Sequence, residues 1–177
     1  METFIVFLRG INVSGKKKIK MAELKASLTK NGFDQVKSYI QSGNLILDSE
    51  MKSNSIADKV QKCIRDNFGF QVPTLVLTST EVNTILRDIP FHNAEDKNLY
   101  FTLLHEKPDL ELVEDFNSLQ FENEDFFISE SCVYLNCKKG AGKAKLNNNL
   151  IENKLKIIAT TRNLNTMKKM LEMTSST

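Results

Sequence analysis

The sequence predicts an α+β protein built from two ferredoxin-like units in tandem. Three observations carry that expectation. Short bulky-apolar runs of strand length alternate with stretches whose apolar residues recur at helical spacing. Turn clusters place two strands side by side between the helices, which is the split βαβ order. The whole order then occurs a second time.

The first copy is read in sequence. Phe4–Leu8 is a strand, and Met21, Leu24 and Leu28 mark a helix that stops at Asn31-Gly32. Val36–Gln41 and Leu45–Asp48 are strands joined through Ser42-Gly43-Asn44, a turn-forming cluster. Ser53 or Asn54 is placed to cap a helix carrying Ile56, Val60, Cys63, Ile64 and Phe68 up to Gly69. Val72–Leu77 is the closing strand, with Pro73 pointing to an edge or a strand start. A bridging helix over Thr80–Asp88 ends before Pro90.

The second copy follows a boundary near Ile89–Lys97. Leu99–Leu104 is a strand, Leu112, Val113, Phe116 and Leu119 mark a helix after Pro108, and Asp125–Ser129 with Cys132–Cys137 form a hairpin. Leu146, Leu150, Ile151 and Leu155 give a helical stripe, Ile157–Thr161 a short strand, and Asn165 an N-cap for a last helix carrying Met167, Met170 and Leu171. The expected domains are 1–88 and 98–177, with a frayed tail at Thr174–Thr177.

Composition bounds the function. The chain has 177 residues, 41% hydrophobic and 26% charged, which is enough for a packed core and excludes wholesale disorder. No run reaches the roughly 18 apolar residues of a membrane span, and the start lacks the features of a secretory signal. The three cysteines, Cys63, Cys132 and Cys137, cannot all pair and fit a reducing compartment, so the expected location is the cytoplasm. The net charge of +2 is a cancellation. Arg9 to Lys20 has five basic residues and no acidic one, Lys138 to Lys156 carries six lysines against Glu152, and Glu106 to Glu130 is strongly acidic.

Several chemistries lack their residues. His92 and His105 stand apart from any zinc-like Cys/His cluster, and Glu122, Glu124 and Asp125 lack the pattern of a calcium loop. Cys132 and Cys137 point to opposite faces of one strand, and no serine sits in a nucleophile elbow. RNA-binding domains of this order carry base-stacking aromatics on a central strand, whereas Leu45–Asp48 has none and Cys132–Cys137 only Tyr134. No catalytic constellation, metal site or cofactor is expected.

The stretch Arg9–Lys17 is the most suggestive. Gly10, Gly15 and Lys16 have the spacing of a phosphate-binding loop, but Lys17 stands where a hydroxyl would bind magnesium, and the helix begins late. What remains is a glycine-bearing loop able to aim N–H groups and ammoniums at an anion. The competing reading is a solvated lysine run. Lys138–Lys145 reads as a flexible connection. Arg162-Asn163 reads as following the last strand, where it would grip an anion or only support the helix start.

Taken together, Phe4–Val13, Ile19–Leu24, Gly32-Phe33, Tyr39–Asn44, Thr161–Asn163 and Asn165-Thr166 resemble a bacterial family known as domain of unknown function 1697. The chain departs from that pattern at Ser14, where glycine is usual, and at Leu164, where tryptophan is usual. The resemblance implies a tandem ferredoxin-like fold in a cytoplasmic protein, and no established activity. Its polar signature falls at Arg9, Asn12, Gln41, Ser42, Asn44, Arg162 and Asn163.

With Gly15, Lys16 and Lys17 these form the expected site for a small phosphate- or carboxylate-bearing ligand. Two alternatives stand beside it. One is sequence-nonspecific nucleic-acid binding by the two basic loops, and the other a protein-interaction module using the acidic belt.

Overall fold

A computed structural model describes residues 1–175. The expected fraying at Ser176 and Thr177 lies outside the described residues, while Thr174 still ends a helix. The elements form two four-stranded antiparallel sheets and six α-helices. They fall into two compact units, the first made of Met1–Thr84 with the described residues from Lys169 on, the second of Ile85–Lys168.

In the first unit the order is β1 (Glu2–Leu8), α1 (Met21–Lys30), β2 (Asp34–Tyr39), β3 (Asn44–Ser49), α2 (Ser53–Phe68) and β4 (Thr74–Thr78), leading into α3 (Ser79–Arg87). The sheet order is β2-β3-β1-β4, so β4 is an edge strand that begins directly after Pro73. That position suits a residue with no N–H to give to a ladder. Alternation decides the faces. Phe4, Val6 and Leu8 of β1, with Leu45 and Leu47 of β3, pack against Leu24 and Leu28 of α1 and Ile56, Val60 and Ile64 of α2. Ile5, Phe7 and Ile46 on the opposite face are also buried. Helix α2 ends where Gly69 turns left-handed at φ +80°.

The second unit runs β5 (Leu99–Leu104), α4 (Leu110–Asn117), β6 (Glu124–Ile128), β7 (Cys132–Cys137), α5 (Asn148–Leu155) and β8 (Ala159–Asn163), with sheet order β6-β7-β5-β8. Val133, Leu135, Leu104 and Ala159 meet Phe116 of α4 and Ile151 and Leu155 of α5. Cys132 pairs with Leu103 and Cys137 with Glu124, so the two thiols lie on opposite faces. Side-chain caps start α4 and α5: Asp109 accepts from the Glu111 N–H, and Asn147 from the Leu150 N–H.

Several boundaries differ from the sequence expectation: β2, β4 and β6 shift by one or two residues, and Lys52, not Ser53 or Asn54, stands at the N-cap of α2 with no side-chain cap. Strand β8 lies two residues later than Ile157–Thr161, because Lys156 takes a left-handed cap at φ +56° and leads the chain into the sheet only at Ala159. Arg162 and Asn163 are therefore inside the strand, opposite Phe101 and Tyr100. Asn163, not Asn165, caps α6 (Leu164–Thr174), its Oδ1 accepting from the Thr166 N–H at 2.8 Å.

Candidate functional site

Strand β1 is central in its sheet, antiparallel to both neighbours. Its C-terminal end therefore lies beside the start of β3 and the start of β4. Two bonds fix this: the Leu8 N–H donates to the Gly43 carbonyl at 2.8 Å, and the Arg9 N–H to the Pro73 carbonyl at 2.9 Å. The loop after β1, the β2–β3 turn and the segment before β4 thus share one rim. Eight of the ten expected site residues belong to it: Arg9, Asn12, Gly15, Lys16, Lys17, Gln41, Ser42 and Asn44.

The loop after β1 is a small hairpin. The Asn12 N–H donates to the Lys17 carbonyl at 3.2 Å and the Lys16 N–H to the Val13 carbonyl at 3.0 Å. Ser14 and Gly15, the central pair, have φ of +50° and +75°, the signature of a type I′ turn. The turn closes on itself, so the Lys16 N–H is engaged within the loop, unlike the free amides of a phosphate-binding loop. Asn12 ties the hairpin down. Its Nδ2 donates to the carbonyls of Ile19 (2.9 Å) and Gln41 (2.8 Å), while its Oδ1 accepts from the Ile19 N–H (2.8 Å).

These bonds frame an open groove of about 540 Å³ lined by Asn12, Gly15, Lys18, Lys20, Glu23 and Gln41, with Ile19 at its base. Lys18 and Lys20 bring two ammoniums. Lys20 pairs with Glu23 at 3.2 Å in the first turn of α1. That helix has no side-chain N-cap, so its first N–H groups and the positive end of its dipole add to the field beside Lys20. Lys16 and Lys17, the two lysines among the expected site residues, behave differently. Lys17 turns its ammonium to the Gln71 carbonyl at 2.7 Å, and Lys16 does not line the groove. Lys18 and Lys20 were legible from alternation: Ile19 is buried between two exposed lysines, so both face outward together.

The remaining rim residues hold the turn. Asn44 is fully buried, and its Nδ2 donates to the Tyr39 carbonyl (3.1 Å) and to Ser42 Oγ (2.9 Å). Gly43 has φ +79°, and a Cβ there would stand 2.6 Å from Leu8 Cβ. Asn12 and Gln41 reach the groove; Arg9, Ser42 and Asn44 do not line it.

Arg162 and Asn163 sit in the second unit, at the rim where β5 starts, which is the opposite rim of that sheet from the end of β5. Arg162 is 8% exposed, and its Nη1 donates to Thr160 Oγ1 (2.7 Å) and to the Thr161 carbonyl (2.9 Å). Burial pulls its pKa down to about 10, which leaves it charged at neutral pH. The thiols are shielded: burial raises Cys132 strongly, and burial reinforced by Glu124 raises Cys137 to about 11. No group of three or more metal-binding side chains occurs among the described residues, and no described helix is long and apolar enough to cross a membrane.

Comparison with known proteins agrees with this architecture. The chain is similar to the conserved bacterial protein SP0830 of Streptococcus pneumoniae, with a TM-score of 0.75 and 23% identity over 97% of this chain and 98% of that one. Identity at that level speaks to the fold alone. No curated protein matches the sequence. Residues 1–134 match the family described as "Protein of unknown function (DUF1697)", and the chain belongs to that family.

Proposed function

We propose that the protein is a binding module for a small anion, a phosphate- or carboxylate-bearing molecule held in the groove between the loop after β1 and the start of α1. One observation carries this reading: Lys18, Lys20 and the uncapped N-terminus of α1 converge on a groove whose wall is fixed by Asn12. Anions are favoured at helix N-termini, and ammoniums on a preordered wall strengthen that preference. Glu23 is the counterweight, held by Lys20 and available to be displaced from it by a stronger anion. The left-handed residues Asn12, Ser14, Lys17 and Ile40 cluster at the same rim, as expected where a scaffold holds a loop for binding rather than for stability.

We read each unit as ferredoxin-like, supported by the strand order and by the strand, helix, strand, strand, helix, strand sequence in both. A cytoplasmic location is supported by three cysteines that are all unpaired.

The test is calorimetry and thermal shift with inorganic phosphate, pyrophosphate, nucleotides, sugar phosphates and citrate. Saturable binding that is lost in the Lys18→Gln, Lys20→Gln double variant is expected. Absence of binding across the panel overturns the reading.

A further inference from the structure

The end-of-first-strand rim occurs once in each unit, built by the same connections. In the first unit it joins the loop after β1, the β2–β3 turn and the segment before β4. In the second, the Leu104 N–H donates to the Ser131 carbonyl (2.9 Å) and the His105 N–H to the Ile158 carbonyl (3.0 Å), joining the loop after β5, the β6–β7 turn and the segment before β8. The two rims have opposite character. The first is basic, with exposed Lys16, Lys17, Lys18 and Lys20, and at the tip of its hairpin Val13 is 56% exposed. The second has exposed Glu106, Asp109, Glu111 and Glu130 against exposed Lys107 and Lys156, an excess of acid. It contains a slot of about 180 Å³ lined by Pro108, Leu110, Val113 and Ile128 and by the Lys107–Glu130 ion pair; Leu110 is 71% exposed.

We propose that the occupant of this slot is a second copy of the chain, presenting the Val13 tip of its basic rim. A single exposed apolar side chain is ordinary on a protein surface. Here an apolar side chain in one loop with exposed Lys16, Lys17 and Lys18, and an apolar recess whose lining stretch also carries exposed Asp109 and Glu111, occur on one chain, and that pairing offers both burial and charge complementarity at an interface. The contact joins two different surfaces, so each copy offers one tip and one slot. It goes beyond the anion reading and needs no ligand.

The test is light scattering on the full chain, with two variants at exposed positions, Val13→Glu and Leu110→Lys, whose folding is verified by circular dichroism. Wild type is expected to gain mass with concentration at low salt and to return to monomer at ~1 M salt, where the screening length is only about 3 Å. Each variant alone loses one half of the contact and stays monomeric. Mixed one to one, they retain one intact tip and one intact slot and form a heterodimer of defined mass. A wild type that is monomeric at low salt and high concentration overturns the proposal. So does a mixture that stays monomeric, or a Leu110→Lys variant that assembles as wild type does. Phosphate binding in the groove is measured separately on wild type and Leu110→Lys, so failure of this contact and failure of the anion reading are distinguishable.

Discussion

The side-chain amide of Asn12 pairs with the backbone of Ile19 as a second strand would: Nδ2 donates to the Ile19 carbonyl while Oδ1 accepts from the Ile19 N–H. A third bond reaches the Gln41 carbonyl across the rim. Asn12 also holds φ at +54°, a conformation asparagine tolerates better than most residues. Asn12→Ala removes all three bonds and keeps the backbone penalty, so a loss of about 2–4 kcal/mol is expected in urea unfolding. Asn12→Gly relieves φ and should lose less. In both, amide exchange should quicken at Ile19 before it quickens in the β1 ladder.

Gly43 is expected to be the least replaceable residue of the β2–β3 turn. A Cβ there meets Leu8 Cβ at 2.6 Å and Ile11 at 3.0 Å, and φ is +79°. Because the Gly43 carbonyl also accepts from the Leu8 N–H, the turn cannot retreat without breaking that bond. Gly43→Ala should cost about 3 kcal/mol or more, steric overlap adding to backbone strain. Gly15 has a similar φ of +75° but nothing within 4 Å of its would-be Cβ. Gly15→Ala should therefore cost only about 1–2 kcal/mol. Equal losses in the two variants would contradict this account.

Element order was legible because it rests on local signals: Phe4–Leu8, the Met21/Leu24/Leu28 spacing and the Ser42-Gly43 turn each announce themselves. The convergence of Arg9, Asn12 and Gln41 on one rim was not. It depends on Phe7 pairing with Asn44, a register that turn composition alone does not dictate. Arg162 was misplaced for a related reason. Nothing local announces that Lys156 turns left-handed, and that turn shifts β8 by two residues and carries Arg162 from a loop into the sheet. Lys17 is expected at the site as one of several lysines on a glycine-bearing loop, while its ammonium is directed by Gln71, a partner 54 residues away.

Charge at the groove should separate by side-chain direction, not by proximity in sequence. Lys18→Gln and Lys20→Gln each remove a cation from the groove wall and should weaken phosphate binding about three- to tenfold, about 0.6–1.4 kcal/mol for a charge-assisted bond at an open site. Lys17→Gln should leave affinity within about twofold, because its ammonium is bonded to the Gln71 carbonyl. Glu23→Gln frees Lys20 from its partner and should tighten binding. Titration calorimetry at low salt measures all four, and equal effects at Lys17 and Lys18 would remove the groove as the site.

The buried thiols should make stability fall as pH rises through the thiol range. Burial raises the pKa of Cys132 strongly and, with Glu124 adding repulsion, raises Cys137 from 9.0 to about 11; Cys63 is raised as well. A thiol whose folded pKa exceeds its unfolded value favours the folded state fully below the unfolded value. That advantage is lost as pH rises through the folded value, because the unfolded chain ionises first. For Cys137 the window runs from pH 9 to about 11, and about 3 kcal/mol is at stake across it. Stability measured by urea unfolding should thus be flat up to about pH 8.5 and fall steeply above 9. Cys137→Val removes the group while keeping an apolar side chain in the core, and should flatten part of that slope. Folded protein at pH 8 should also react with a thiol reagent only as fast as it opens, since Cys132 and Cys137 are 0% and 1% exposed. Rapid modification of either one in the folded state would show that the β7 thiols are reachable and that burial does not control their titration.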